Sequence, residues 1–347
     1  MISRPEADHV SAIPGATALG VGRRVDVLLL GVAAVWGSSY LSAKVLVVAG
    51  GVLAVLALRY LVSAAAMALV CVARRPPRPG RREAAVGIGL GVTQAAVLAL
   101  ETYGVSLTSA TNAGLLISLT ILLTPVLDGL VSRRWLPLGF FGAAAVALAG
   151  IALLISGSGL RAPSTGDALM LAAAVIRAVH VTASSRLTRT RPHDAVPMDT
   201  ITLTLLQTIV GAVIFTAAGA PAVARAVTGF GPTQWLNVLY LALGCSMFAF
   251  LVQLWAVRRT SASRASLLLG TEPLWAVLIG LCLAGDVLGP AGAVGAVLVI
   301  AGTFWGQRVE TRHRARLPAT AGEDAAEVPS AGASTEPIGR TPQEATR

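Results

Sequence analysis

Apolar residues in this chain come in long runs, broken by short stretches where Arg, Pro and Gly cluster. A helix needs about 20 residues to cross bilayer hydrocarbon, and ten windows reach roughly that length: 25–47, 52–73, 85–104, 109–131, 137–156, 166–187, 197–219, 233–256, 263–284 and 289–307. Hydrocarbon offers no partner to an unpaired peptide group, so each window predicts a helix. The stretch before the first window carries Pro5, Glu6, Asp8 and Pro14 and leads into a full-length span, so span one reads as an uncleaved helix and not as a signal peptide. After residue 308 the chain turns to Ala, Pro, Glu, Thr and Ser, a composition that predicts a disordered tail.

Basic residues set the direction, because short loops rich in Arg and Lys stay cytoplasmic. Arg74, Arg75, Arg78, Arg81 and Arg82 fall between spans two and three, and Arg133 and Arg134 between four and five. Arg186, Arg189 and Arg191 fall between six and seven, and Arg258, Arg259 and Arg264 between eight and nine. Both tails are basic beside the spans, at Arg4, Arg23 and Arg24 and again at Arg308, Arg312, Arg314 and Arg316. The other side holds only Arg161, Arg225 and Lys44. Both termini are therefore expected in the cytoplasm.

The chain also matches itself. Residues Thr108 to Leu116 (TSATNAGLL) align with Thr260 to Leu268 (TSASRASLL), 152 positions later, and the same offset pairs Glu101-Thr102-Tyr103 with Gln253-Leu254-Trp255 and Ala149-Gly150 with Ala301-Gly302. Each copy holds five spans, an odd number, so the copies enter the membrane in opposite senses, as in carriers that work by alternating access. The expected fold class is an all-α integral membrane protein of ten transmembrane helices in two inverted five-helix repeats. The repeats occupy 25–156 and 157–307, with cytoplasmic tails at 1–24 and 308–347.

Composition narrows the function. Of 347 residues, 55% are hydrophobic and 13% charged, against about 25% charged in soluble domains, which excludes a cytosolic enzyme, a disordered protein and a secreted disulfide scaffold. The net charge of +10 is scattered between spans and forms no nucleic-acid footprint. Cys71, Cys245 and Cys282 have no metal or redox spacing. No phosphate-loop signature is present, and no cofactor or metal is expected.

Charges inside spans are costly and are the first functional candidates. Arg59 and Glu101 sit in the outer halves of spans two and three, where an ion pair would shape an outer gate or simply hold two helices together. Gln94 shares the Glu101 helix face. Arg177 and Glu272 fall near the midplane of spans six and nine, with His180 one turn beyond Arg177. A substrate competing for Arg177 would change the proton affinity of Glu272, which outlines a coupling mechanism; a permanent clasp is the alternative. Asp26, Lys44, Asp128, Arg264 and Asp286 lie at span ends and read as anchors. Pro125 and Pro273 fall inside spans four and nine, where each frees a carbonyl, on Ile121 and Leu269, and bends the helix. Trp36 and Tyr40 share a face of span one, and Trp255 and Trp275 lie in the second repeat; such walls suit amphipathic or cationic substrates, or ordinary packing. Gln253 is the amide counterpart of Glu101. The pairs Gly87/Gly91 and Gly302/Gly306 permit close helix contact.

One set of motifs points further: Trp36-Gly37-Ser38-Ser39, Arg59, Tyr103 through Leu116 with Thr124-Pro125, Gly166-Asp167, Ser261-Ala262 through Leu268 with Glu272-Pro273, Gly285-Asp286 and Ala301-Gly302. In order and spacing they resemble the drug/metabolite transporter superfamily, in its EamA-type branch of ten-helix bacterial carriers, over about residues 25–307. Two positions depart from that pattern: Arg133-Arg134 where an acidic residue is usual, and Arg177 where an aromatic is common. The resemblance implies a secondary transporter of the bacterial inner membrane that exports a small metabolite or drug-like compound. With the coupling outlined above, the reading is alternating access by proton antiport, the outward direction coming from the resemblance and not from the residues. Expected partners are a small-molecule substrate, protons and the bilayer, with a homodimer left open and no nucleic acid. The alternatives are an uncoupled facilitator of metabolite or amino-acid passage and, more remotely, a non-transporting membrane enzyme or scaffold; no nucleophile, base or metal constellation supports an enzyme.

Overall fold

The computed structural model describes residues 14–107, 116–133, 135–156, 164–190, 197–279 and 289–316. Among these, all regular structure is helical. The first repeat contains α1 (Pro14–Gly50), α2 (Val52–Arg74), α3 (Arg81–Leu107), α4 (Thr120–Ser132) and α5 (Leu138–Ser156). The second contains α6 (Thr165–Leu187), α7 (Thr200–Gly229), α8 (Pro232–Arg259), a ninth span split into α9 (Ala262–Leu269) and α10 (Glu272–Ile279), and α11 (Pro290–Arg316). Among the described residues, seven helices are long and apolar enough to cross a membrane; α5 and the Leu116–Ser132 segment ending in α4 are shorter apolar helices. With the split span these make up the ten crossings.

Packing follows the duplication. The longest contacts run along α2 with α7 and α5 with α11. Exchanging each span with the one five places later maps both contacts onto themselves. The same exchange turns α3–α6 into α8–α1, α4–α6 into the split ninth span against α1, and α3–α7 into α8–α2, and all of these contacts are present. Two like five-helix units therefore meet face to face, with spans one, three, four, six, eight and nine around the centre.

Small residues make the closest approaches. A Cβ on Gly302 would lie 2.7 Å from the Ala147 amide nitrogen and 2.8 Å from the Ala143 carbonyl oxygen, so α11 meets the α5 backbone directly. Gly91 meets the α7 backbone in the same way, 3.0 Å from the Gln207 Cα, as the small-residue spacing predicts. Gly51 alone joins α1 to α2, at φ +80°, a conformation open to glycine and strained for other residues. Asp167 closes a capping box at the start of α6, accepting from the Ser164 amide at 2.7 Å, so the Gly166-Asp167 motif has a structural use here.

Several expected boundaries are corrected. Helix α1 begins at Pro14, inside the segment read as a tail, and α11 runs to Arg316, past the expected end at 307. Backbone hydrogen bonding carries a helix on past the residues that contact lipid, so an apolar window sets a minimum length only. Helix α7 continues to Gly229 across a kink at Gly219, two residues before Pro221. Pro273 is not inside a continuous helix: the chain passes through a tight turn, Thr271 N–H donating to the Leu268 carbonyl at 3.2 Å, and Pro273 occupies the first turn of α10. There its missing N–H has no intrahelical partner to lose. Pro125 stays within α4, as expected. The motif residues 108–115, Gly285, Asp286, Cys282, Arg134, Arg161 and Arg191 lie outside the described residues.

Candidate functional site

At the centre, α1 carries Trp36 and Tyr40 one turn apart on one face, α3 brings Glu101, α6 brings Arg177 and α10 begins at Glu272. The Arg177 guanidinium reaches both carboxylates: Nη1 donates to Glu272 Oε2 at 3.1 Å, and Nη2 donates to Glu101 Oε1. The Tyr40 hydroxyl donates to the other Glu272 oxygen, and the Arg177 Cζ sits 4.9 Å from the centroid of the Trp36 ring. The side chains of Arg177 and Glu101 are 11% exposed and that of Glu272 4%. Trp36, Tyr40 and Glu101 come from the first repeat, Arg177 and Glu272 from the second, so the network ties the two units together at their shared centre. One guanidinium faces two carboxylates in a place poor in water, where such contacts are strong and uncompensated charge is costly.

The expected Arg59–Glu101 ion pair is not formed. Arg59 instead donates through Nε to the Ser246 hydroxyl and through Nη2 to the Cys245 carbonyl at 3.1 Å. That carbonyl also accepts from Trp36 Nε1 at 2.9 Å. Cys245 and Ser246 lie in a π-helical stretch of α8, Tyr240–Phe248, whose wider turn interrupts the usual ladder. The same stretch supplies Tyr240, whose hydroxyl bonds to Ser38 and donates to the Val35 carbonyl at 3.2 Å. The positions of Ser246 and Tyr240 escape sequence reading because no proline or charge marks the π turn.

Other expected site residues sit apart from the central network. His180 is buried and contacts Thr93 Oγ1 at 2.8 Å through Nδ1 and Ser184 Oγ at 3.5 Å through Nε2, forming a separate polar contact between α3 and α6. Gln94 and Gln253 are buried but do not join the network. Trp275 follows Glu272 by one turn, with its indole N–H buried and unpartnered among the described residues. Lys44, read as an anchor, lines a cavity of about 110 Å³ together with Tyr40, Arg59, Glu101, Thr102 and Ser106. The cavity extends from Glu101 and Tyr40 toward the C-terminal ends of α1 and α3.

Two ion pairs lie away from this cavity, toward the starts of α1 and α9 and the ends of α4 and α6. Arg264 Nη2 meets Asp26 Oδ2 at 2.7 Å, with a second bond from Nε to Oδ1 at 3.1 Å. Arg186 Nη2 meets Asp128 Oδ1 at 2.6 Å and also the Asp128 carbonyl at 3.0 Å. Asp26, Asp128 and Arg264, expected as membrane anchors, are therefore partners across the two repeats. Among the described residues no group of His, Cys, Asp and Glu could hold a metal ion.

Comparison with known proteins fits this arrangement. The EamA-like transporter family matches the chain twice, over residues 23–156 and 164–305. A solved structure described only as the crystal structure of a protein is similar at 18% identity with a TM-score of 0.67, covering 84% of this chain and 99% of its own, a likeness of fold alone. No curated protein matches the chain.

Proposed function

The chain belongs to the EamA-like transporter family, and from that premise we propose that it is a secondary transporter that exports a small metabolite or drug-like compound by alternating access, in exchange for protons, in a bacterial inner membrane. The observation that carries this reading is the Glu101–Arg177–Glu272 network, built from both repeats and placed between them. A rocking motion of one repeat against the other changes the distances within it, and a ligand that takes one partner of Arg177 leaves the others with altered charge balance. Protonation of either carboxylate does the same, so proton and substrate act on one set of contacts. The cavity beside Tyr40 and Glu101 runs from this network toward the C-terminal ends of α1 and α3, the side from which a ligand would reach it in this reading.

Efflux of a panel of metabolites and toxic compounds, measured in cells with and without the protein, tests the transport reading. At least one compound should leave faster when the protein is present, and collapsing the proton gradient should remove the difference. Efflux that persists without the gradient would favour the facilitator. No change for any compound at good membrane abundance would overturn the reading.

A further inference from the structure

We infer that Asp26–Arg264 and Asp128–Arg186 are the two halves of an ionic lock that closes one membrane face between the repeats and sets the resting state open at the other face. This inference rests on the alternating-access reading. Following the ten alternating crossings, the start of span one, the end of span four, the end of span six and the start of span nine all lie at the same face. Those four places hold Asp26, Asp128, Arg186 and Arg264 respectively. Each pair joins a carboxylate of the first repeat to a guanidinium of the second. The helix pairs they tie, one with nine and four with six, are exchanged by the relation that exchanges the repeats. The interface is therefore pinned on both flanks, and between them the Ser266 hydroxyl donates to the Thr120 carbonyl at 2.7 Å, joining α9 to α4.

The opposite face is different. The cavity reaches it through Lys44, Val48 and Ser106, and in the repeated motif the counterpart of Arg264 is the uncharged Asn112. The duplication therefore supplies no mirror-image copy of that ion pair. The charged groups are 19–30% exposed, a setting in which one pair shifts an equilibrium by up to about fivefold. Two such pairs bias an otherwise balanced carrier, yet are weak enough to break in every cycle.

The test uses the full chain in lipid nanodiscs, with Cys71, Cys245 and Cys282 replaced by Ser, and reads the rate of maleimide labelling at single introduced thiols. Ser266→Cys reports the locked face, since Ser266 is buried between the flanking pairs, and Ala43→Cys reports the cavity. With Asp26→Asn and Asp128→Asn together, the rate at position 266 should rise by roughly 10- to 25-fold and the rate at 43 should fall; each single change gives up to about fivefold at 266. High salt should act in the same direction as the substitutions, because the pairs are partly exposed. Exchanging the charges, Asp128→Arg with Arg186→Asp, should bring the rate at 266 back down, which general loosening of the helices would not do. An unchanged rate at 266 in the double variant, a rise at both positions together, or no recovery on charge exchange overturns the lock. Labelling needs no substrate, so failure here is distinguishable from failure of the transport reading, which the efflux panel decides.

Discussion

Removing the guanidinium at the centre should cost stability as long as its two carboxylates remain. Arg177→Met keeps the length and apolar stem of the side chain but leaves Glu101 and Glu272 facing each other without their shared cation, at 11% and 4% exposure. Truncating one partner of a buried ion pair costs about 3–5 kcal/mol, because the remaining charge is left uncompensated. The lost contact with the Trp36 face adds about 0.5–2 kcal/mol. At pH 7.5 the variant should melt roughly 5–10 °C below the wild type, followed by intrinsic tryptophan fluorescence in detergent micelles. The triple variant Arg177→Met, Glu101→Gln, Glu272→Gln removes all three charges together and should lie close to wild type, since replacing every member of a buried charge group is often nearly neutral. A deficit in Arg177→Met below about 1 kcal/mol, or a triple variant no more stable than Arg177→Met, would refute the view that Arg177 compensates two buried charges.

Other outcomes follow from the same contacts. Gly302→Leu should destabilise by about 3 kcal/mol, because its Cβ would meet the α5 backbone, whereas Gly31→Ala, with open space around it, should be neutral or slightly stabilising in the same melting assay. Trp36→Phe keeps the ring under Arg177 but loses the bond to the Cys245 carbonyl, and should cost about 1 kcal/mol, measured by thermal melting. Reporter fusions after residues 50, 107, 160, 225 and 287 should all report the outside; two or more reporting cytoplasm would contradict the direction read from the arginines.

Much of the architecture is legible in the sequence because bilayer thickness imposes a length on every apolar run, and because the duplicated connector survives in TSATNAGLL and TSASRASLL. Counting residues from span ends also brings Arg177 and Glu272 to a common depth, and the structure pairs them. Depth does not give rotation about the helix axis. Sequence reading therefore pairs Glu101 with Arg59, on the next span at similar depth, whereas packing of α3 on α6 gives it Arg177. Arg59 turns instead to a carbonyl exposed by the π stretch, a backbone feature without a residue signature. The pairs Asp26–Arg264 and Asp128–Arg186 were hidden for another reason: a charge at a span end is already satisfied by water, so nothing in its own neighbourhood calls for a partner 238 or 58 residues away. Glu101→Gln and Glu272→Gln can be compared directly, Gln253 being the amide counterpart of Glu101 in the other repeat. With both carboxylates on one guanidinium, the two changes should weaken transport to a similar degree.

If carboxylates held between the repeats link proton movement to substrate movement, as proposed, one measurement reads that link directly. In proteoliposomes, with a compound identified by the efflux panel, pH-driven uphill transport and downhill exchange are compared for wild type and Glu272→Gln at equal protein abundance. The substitution preserves size and hydrogen bonding to Tyr40 while removing the carboxyl group proposed to take the proton. Uphill transport should be lost while downhill exchange persists. Wild-type uphill transport in Glu272→Gln would contradict it.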